Sequence, residues 1–269
     1  FGIITNIGKA HLEGFGTIDK LIKTKSELYS HLEKNKGWII VNYSNPELRK
    51  AAGKTSLNRV IYGDHPDSVC YGKITGNNLL ISASVSWKHE QRRGNTTIHS
   101  KLTGSYNLEN ILAAFTTGLF FNVEENDIIA AISNYFPSNN RSQLLKTSAG
   151  NTLILDAYNA NPTSMQNALA NLIQQNRDNK MAILGDMLEL GDYALPEHQD
   201  IIKMLKNHKD IRVMLVGKTF TEADNNNEFT TFPDTESLIG YLGSNPVKDS
   251  LILIKGSRAI RLEGTVPLL

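Results

Sequence analysis

Four short apolar runs, LILD at 153–156, KMAILGD at 180–186, RVMLVG at 212–217 and SLILIKG at 250–256, are separated by stretches of helical periodicity. Runs so short and so continuously apolar predict strands buried on both faces, and the intervening helices, predicted at 163–175, 196–207 and 235–243, supply the cover. The arrangement that buries all of them is a mostly parallel sheet, so residues 138–269 are expected to form a Rossmann-like domain. The turn-rich FPSNN at 136–140 marks the start of that domain. Before it, residues 1–137 read as strand GIIT, a helix over 17–35, strands GWIIV and RVIYG, short β segments across 69–87 and 96–102, then helices over 106–121 and 125–136. The whole chain is expected to be α/β, and DNNNE at 224–228 reads as a loop.

In parallel α/β sheets ligands gather at the carboxyl ends of strands, so residues directly after the apolar runs are the first candidates for chemistry. Here they are His11, Asp156, Asp186, Gly217 and Lys255. A dinucleotide-binding turn is not among them, because GFGTID has two of the glycines of G-x-G-x-x-G, lacks the third and does not directly follow a strand.

Within the predicted helix 17–35, Ile18, Leu21, Ile22, Leu28, Tyr29 and Leu32 mark an apolar stripe, and Lys25 falls at its centre while Lys20 and Lys23 lie off it. A lysine on a buried face either snorkels to water or is held at a site by its nitrogen. His11 carries the same two readings, structural or ligating, and one histidine alone would be a poor site for a hard cation such as Mg²⁺.

Lys and Arg total 28 against 27 Asp and Glu, so no broad basic field exists to attract nucleic acid. The single Cys70 cannot form an intrachain disulfide, and no apolar run approaches the ~20 residues of a membrane span. Those features together suggest a cytoplasmic protein with no membrane or nucleic-acid partner, and a monomer is the expected form. The chain begins with Phe1 in what reads as a strand already under way, which suggests a piece of a longer protein.

TNIGKAHLEGFGTIDKLIKTKSEL at 5–28 resembles the Mur ligase family of ATP-dependent amide-forming enzymes, with its His followed fourteen residues later by Lys in KxEL. LTGSYNLENILAA, DAYNANPTSMQNAL, LGDMLELG and KGSR, in that order, resemble the branch that adds D-alanyl-D-alanine to UDP-N-acetylmuramoyl tripeptide, and the likeness runs from Thr5 to about Glu263. The resemblance implies ATP and Mg²⁺ as cofactors, with His11 and Lys25 as catalytic metal ligands and Lys25 carbamylated; a carbamate would turn the misplaced cation into an anion with two oxygens. Glu13 would be a loop or outer residue. The resemblance further implies nucleotide contacts by Asn107 and Asn110 near the adenine, by Arg141 at the domain junction and by Asp156 near the ribose. Helix capping is the structural alternative for the two asparagines. Asn159, Asn161, Asp186, Lys255, Ser257 and Arg258 become candidates for binding the peptide substrates, with Lys255 or Arg258 holding a terminal carboxylate. For Asn161, followed by Pro162 and Thr163, a helix start is the competing reading, and for the last four, solvated turns.

No segment matches the phosphate-cradling G-x-x-x-x-G-K-S/T, with IGKAH and VGKTF the nearest approaches. By the resemblance that loop, a further acidic metal ligand and the UDP-gripping domain would precede Phe1, and the 269 residues alone are expected to fold without hydrolysing ATP. A sister Mur ligase, a folylpolyglutamate synthase-like ligase and a non-catalytic nucleotide- or peptide-binding module are the competing readings.

Overall fold

The computed structural model describes residues 1–9 and 12–269. It divides into two compact units, one of Phe1–Gly8 with Thr17–Tyr135 and the other of Lys9–Gly16 with Phe136–Leu269.

The first unit consists of β1 (Gly2–Ile4), α2 (Ile18–Lys34), β2 (Trp38–Asn42), α3 (Pro46–Gly53), β3 (Asn58–Tyr62), β4 (Cys70–Asn78), β5 (Leu80–His89), β6 (Arg92–Thr103), α4 (Asn107–Phe120) and α5 (Glu125–Asn134); α1 (Leu12–Phe15) falls in the second unit. Its six strands form one sheet in the order β1-β2-β3-β4-β5-β6. Strands β1 to β4 pair parallel and β4-β5-β6 antiparallel. In β2, Ile39, Ile40 and Val41 are all buried, as a strand covered on both faces requires. In β5, Ile81, Ala83, Val85 and Trp87 are buried and alternate with half-buried serines, because one face of that strand packs on α4 and the other is open. The expected short β segments are in fact three strands of 9, 10 and 12 residues. Helix α2 buries Leu21, Tyr29 and Leu32, while Ile18 is 38% exposed: the predicted stripe is correct in its middle and frays in the first turn, where Thr17 caps the helix.

The second unit continues with β7 (Gln143–Lys146), β8 (Thr152–Asp156), α6 (Pro162–Gln174), β9 (Lys180–Gly185), α7 (Ala194–Lys206), β10 (Ile211–Val216), α8 (Lys218–Ala223), β11 (Thr230–Phe232), α9 (Thr235–Ser244) and β12 (Leu251–Lys255), followed by 3₁₀ turns at Arg258–Ile260 and Leu262–Leu268. Its sheet runs in the order β11-β10-β9-β12-β8-β7. All pairs are parallel except β7 with β8, which is the mostly parallel Rossmann-like sheet the apolar runs demand. Every residue of β9 and β12 is buried. From β8 the chain steps past one position to β9, continues outward to β11, then returns to lay β12 between β9 and β8. That reversal leaves a crevice at the carboxyl edge of the central strands, where such sheets place their ligands.

Candidate functional site

Strand β8 ends at Asp156 and β12 at Lys255, and the two residues are register partners in the parallel ladder. The Lys255 Nζ donates to Asp156 Oδ2 at 2.6 Å and to the Asn159 carbonyl at 3.1 Å, while Asp156 Oδ1 accepts from the Ser142 amide at 3.0 Å. Lys255 is only 1% exposed. Its expected role as the holder of a substrate carboxylate therefore gives way to an internal one: the ammonium already neutralises a carboxylate in the sheet centre, where an unpaired charge would be costly. Asp156, expected near a ribose, has a protein partner on each oxygen and ties together the entry to β7, the end of β8 and the end of β12.

The pair anchors the loop that follows β8. There the Tyr158 amide donates to the Asn140 carbonyl at 3.2 Å, and its ring carries the Arg141 guanidinium 3.7 Å from the centroid and that of Arg258 at 5.2 Å. Cation–π contact orients both arginines without neutralising them. Both are exposed, and neither has a carboxylate partner among the described residues. Asn159 is exposed and its Oδ1 accepts from the Ala160 amide at 2.8 Å. Asn161 is the N-cap of α6, exchanging hydrogen bonds with Ser164 in a capping box ahead of Pro162, so the helix-start reading of that residue is the one realised.

Asp186 is buried, and its two oxygens accept from the Phe220 and Thr219 amides at 2.9 and 3.0 Å. The carboxylate caps the first turn of α8 and is not presented to a peptide substrate, contrary to the expectation for it. Its carbonyl accepts from the Ser257 amide at 3.1 Å, and Ser257 Oγ accepts from the Leu188 amide at 2.9 Å. Glu13, in α1, donates its amide to the Glu189 carbonyl at 3.0 Å. These bonds fix the 186–191 loop as one wall of an open cleft of about 630 Å³ whose lining includes Tyr158, Asn159, Leu188, Ser257, Arg258 and Glu263.

The sequence reading missed His198. It is completely buried on α7, its Nδ1–H donates to the Ala194 carbonyl at 2.6 Å, and its Nε2 accepts from the Met187 amide at 3.0 Å. Its spacing from Ile201, Ile202 and Leu205 on one helix face was the available signal. Burial holds its pKa below the ordinary 6.5, against the opposing pull of the Ala194 hydrogen bond, Asp186 and Glu197. The unfolded chain binds a proton below about pH 6.5 that the folded chain refuses, so stability is fully present above that pH and falls as pH drops below it, by roughly 1.4 kcal/mol per pH unit down to the folded-state pKa. Denaturant titrations between pH 7.5 and 5 should show this slope, and His198→Gln should flatten it; an identical slope in that variant removes His198 as its source.

In the first unit, Lys25 is half-buried, and its Nζ donates to the Asn6 carbonyl at 3.1 Å with no carboxylate partner among the described residues. Burial lowers its pKa. Asn107 stands at the first position of α4 and not at the cap; its buried amide donates to the Thr103 carbonyl at 2.8 Å and accepts from Asn110 Nδ2 at 2.7 Å. Asn107 is thus spent on the local turn, and Asn110 is the exposed member of the pair. His11 lies outside the described residues. Among the described residues no three His, Cys, Asp or Glu side chains converge as a metal site, and no helix is long and apolar enough to cross a membrane.

Fold and cleft define an α/β protein with an open cleft, lined in part by Arg258, at the carboxyl edge of a Rossmann-like sheet. A family model described as the Mur ligase middle domain matches residues 1–118, and one described as the Mur ligase, glutamate ligase domain matches residues 140–258. The chain belongs to the Mur ligase family. It is 29% identical over 279 residues to the UDP-N-acetylmuramoyl-tripeptide--D-alanyl-D-alanine ligase of Bacillus subtilis, covering 98% of this chain and 58% of that protein. The ligase of the same name from Escherichia coli is 26% identical over 269 residues, with 98% and 58% covered. Among solved structures, MurF from Acinetobacter baumannii superimposes with a TM-score of 0.83 at 27% identity, covering 98% of this chain and 58% of that one. The chain thus spans less than two thirds of the length of these relatives.

Proposed function

We propose that this chain is part of an ATP-dependent amide ligase that joins D-alanyl-D-alanine to UDP-N-acetylmuramoyl tripeptide in the cytoplasm, and that these residues alone are inactive. In this reading residues 1–137 are part of the ATPase domain without its phosphate loop, and residues 138–269 are the ligase domain. The supporting observation is the pair of guanidiniums, Arg141 and Arg258, stacked on Tyr158 at the carboxyl edge of the sheet with no internal counter-charge among the described residues. Unpaired, oriented arginines are receptors for phosphate or carboxylate.

The tripeptide's terminal carboxylate takes the γ-phosphoryl of ATP, releasing ADP; the dipeptide amine then attacks the acyl phosphate and phosphate leaves. Arg141 would meet the nucleotide phosphates, Asn110, with Asn107 behind it, the adenine, and Arg258, with Asn159 and Ser257, the peptides. Asp156 and Lys255 would act by holding the Tyr158 loop, and preorganised charge of this kind supplies most of the catalysis in phosphoryl transfer.

For magnesium, the described residues do not by themselves make a site. Lys25 fits the part of a carbamate: only a neutral amine reacts with carbon dioxide, and burial that lowers its pKa raises the neutral fraction. The carbamate would supply Mg²⁺ with oxygens, alongside His11.

The test is phosphate release by the intact protein with ATP, magnesium, the nucleotide tripeptide and D-alanyl-D-alanine, leaving out each peptide in turn. Release that needs both, with the pentapeptide product seen by mass, is expected; release with another amine acceptor points to a sister ligase and discards this assignment. Lys25→Ala should lower turnover about 100-fold or more, with partial rescue by a short-chain carboxylate. Full activity in that variant removes the carbamate.

A further inference from the structure

The first unit has a cleft of its own, of about 640 Å³, between the connection from β3 to β4 and the hairpin end of β5 and β6. Two cations line it, Lys88 and Arg93, and they are register partners in the antiparallel β5-β6 ladder. Their side chains therefore leave one face of the sheet side by side, and like charges directly opposite each other are destabilising. Both are exposed, and neither has a carboxylate partner among the described residues, whereas Arg92 pairs with Glu124 at 3.2 Å. Lys88 Nζ donates to the Pro66 carbonyl at 3.0 Å, which ties it to the cleft wall and leaves two of its three N–H donors unspent. The surroundings strengthen the charge: residues 70–103 hold five Lys and Arg against the single Glu90, in a chain that has 28 against 27 acids. Such segregation raises the local concentration of anions. The cleft also offers rings. Trp87 lies across Gly94, where a Cβ would come within 2.8 Å of the indole, and Tyr71 on the same lining is 48% exposed. Asp64 is the one carboxylate of the lining, and it forms no ion pair with either cation.

A cation would meet repulsion here, and a neutral ligand would leave the two charges uncompensated. An anion that bridges Lys88 and Arg93 turns their mutual repulsion into a receptor, and a phosphate, with up to two charges and three free oxygens, suits two adjacent cations better than a carboxylate. An exposed ring on the wall is a stacking surface for a second ring. We propose that this cleft binds a small phosphorylated ligand carrying a planar ring, with the phosphate on Lys88 and Arg93, the ring on Tyr71, and Asp64 accepting from its hydroxyl or amino groups. The site is separate from the nucleotide contacts proposed for Asn107 and Asn110. Those residues follow the far end of β6, and the ten residues from Arg93 to Thr103 span roughly 33 Å at about 3.3 Å each. The proposal does not depend on the ligase reading.

Trp87 reports on the cleft, since the chain has only one other tryptophan, Trp38, and Trp38→Phe assigns the two indole N–H resonances. The complete chain is titrated with AMP, adenosine, ribose 5-phosphate, inorganic phosphate and, at matched ionic strength, sodium chloride. AMP should move the Trp87 resonance with a midpoint at millimolar concentration or below, and adenosine should bind about tenfold more weakly or worse, the value of a lost charge-assisted hydrogen bond. Replacing both cations, Lys88→Ser with Arg93→Ser, should weaken AMP by a similar factor. Without ligand that variant should melt no lower than the unaltered chain, because it loses a repulsion, whereas a merely structural role for the two residues predicts a lower melting temperature. Lys73→Ser, on the same strand as Tyr71 but outside the lining, should leave the AMP midpoint unchanged. A Trp87 resonance unmoved by AMP, a response to chloride as large as to the phosphates, or unchanged AMP binding in the double variant overturns the proposal. The probe series on the unaltered chain decides even if the variant misfolds. If inorganic phosphate or ribose 5-phosphate binds as tightly as AMP and depends equally on Lys88 and Arg93, the phosphate receptor stands and the ring contact with Tyr71 falls.

Discussion

Asp156→Ala is expected to destabilise the second unit by about 3–5 kcal/mol, the range found when one partner of a buried ion pair is removed and the other charge is stranded. Lys255 cannot escape, since it is 1% exposed and its remaining contact is the Asn159 carbonyl at 3.1 Å. Lys255→Met should cost less, about 1–3 kcal/mol, because the Asp156 side chain is 17% exposed, keeps the Ser142 amide and can draw on water. The double variant should be more stable than the sum of the two losses, since it strands no charge. Hydrogen exchange of the β8 and β12 amides measures the second unit separately. Equal losses in the two single variants would show that desolvation of the stranded ammonium is not the dominant cost. Asp156→Ala should also release the loop that carries Tyr158, and with it the fixed orientation of Arg141 and Arg258.

This ion pair illustrates what could and could not be read from the residues alone. That Asp156 and Lys255 end strands was legible, because LILD and LILIK are apolar runs with a charge at the carboxyl end. That they meet was not, since the pairing depends on β12 being laid between β9 and β8, and strand order leaves no periodic mark in a sequence. The same gap turned two expected substrate ligands, Lys255 and Asp186, into internal supports: both are buried by elements distant in the chain. Helix α3 and strand β7 were missed for another reason. Eight and four residues are too few to show a period, although Asn45 before Pro46 is a capping signal. Local signals fared well where the physics is local. The capping box at Asn161 and the anomaly of Lys25 on an apolar stripe both correspond to real geometry, a helix start and a half-buried amine without a carboxylate partner among the described residues. His198 shows the limit of reading polarity alone, for its polar atoms are satisfied by backbone that the sequence pattern does not bring into view.

Gly217→Ala is the second change expected to be severe. Gly217 sits at φ 120°, ψ 165° between β10 and α8, a region essentially restricted to glycine. A Cβ there would also overlap the carboxylate of Asp186. That carboxylate has nowhere to go, because its oxygens accept from Thr219 and Phe220, the carbonyl of the same residue is bonded to Ser257, and His198 closes the far side 3.6 Å away. Backbone strain and overlap together should cost about 3 kcal/mol or more, a fall of roughly 10 °C in the melting temperature of the second unit. Gly240→Ala on α9 is the control, since no atom lies within 4 Å of the place its methyl group would take and φ there is ordinary. It should be neutral or stabilise by up to about 1 kcal/mol. Adding Asp186→Ala to Gly217→Ala separates the two causes: it removes the overlap but not the strain, and it also uncaps α8. If Gly217→Ala melts within a degree or two of the unaltered chain, the Asp186 cap is not the rigid support of the 186–191 wall that the cleft requires.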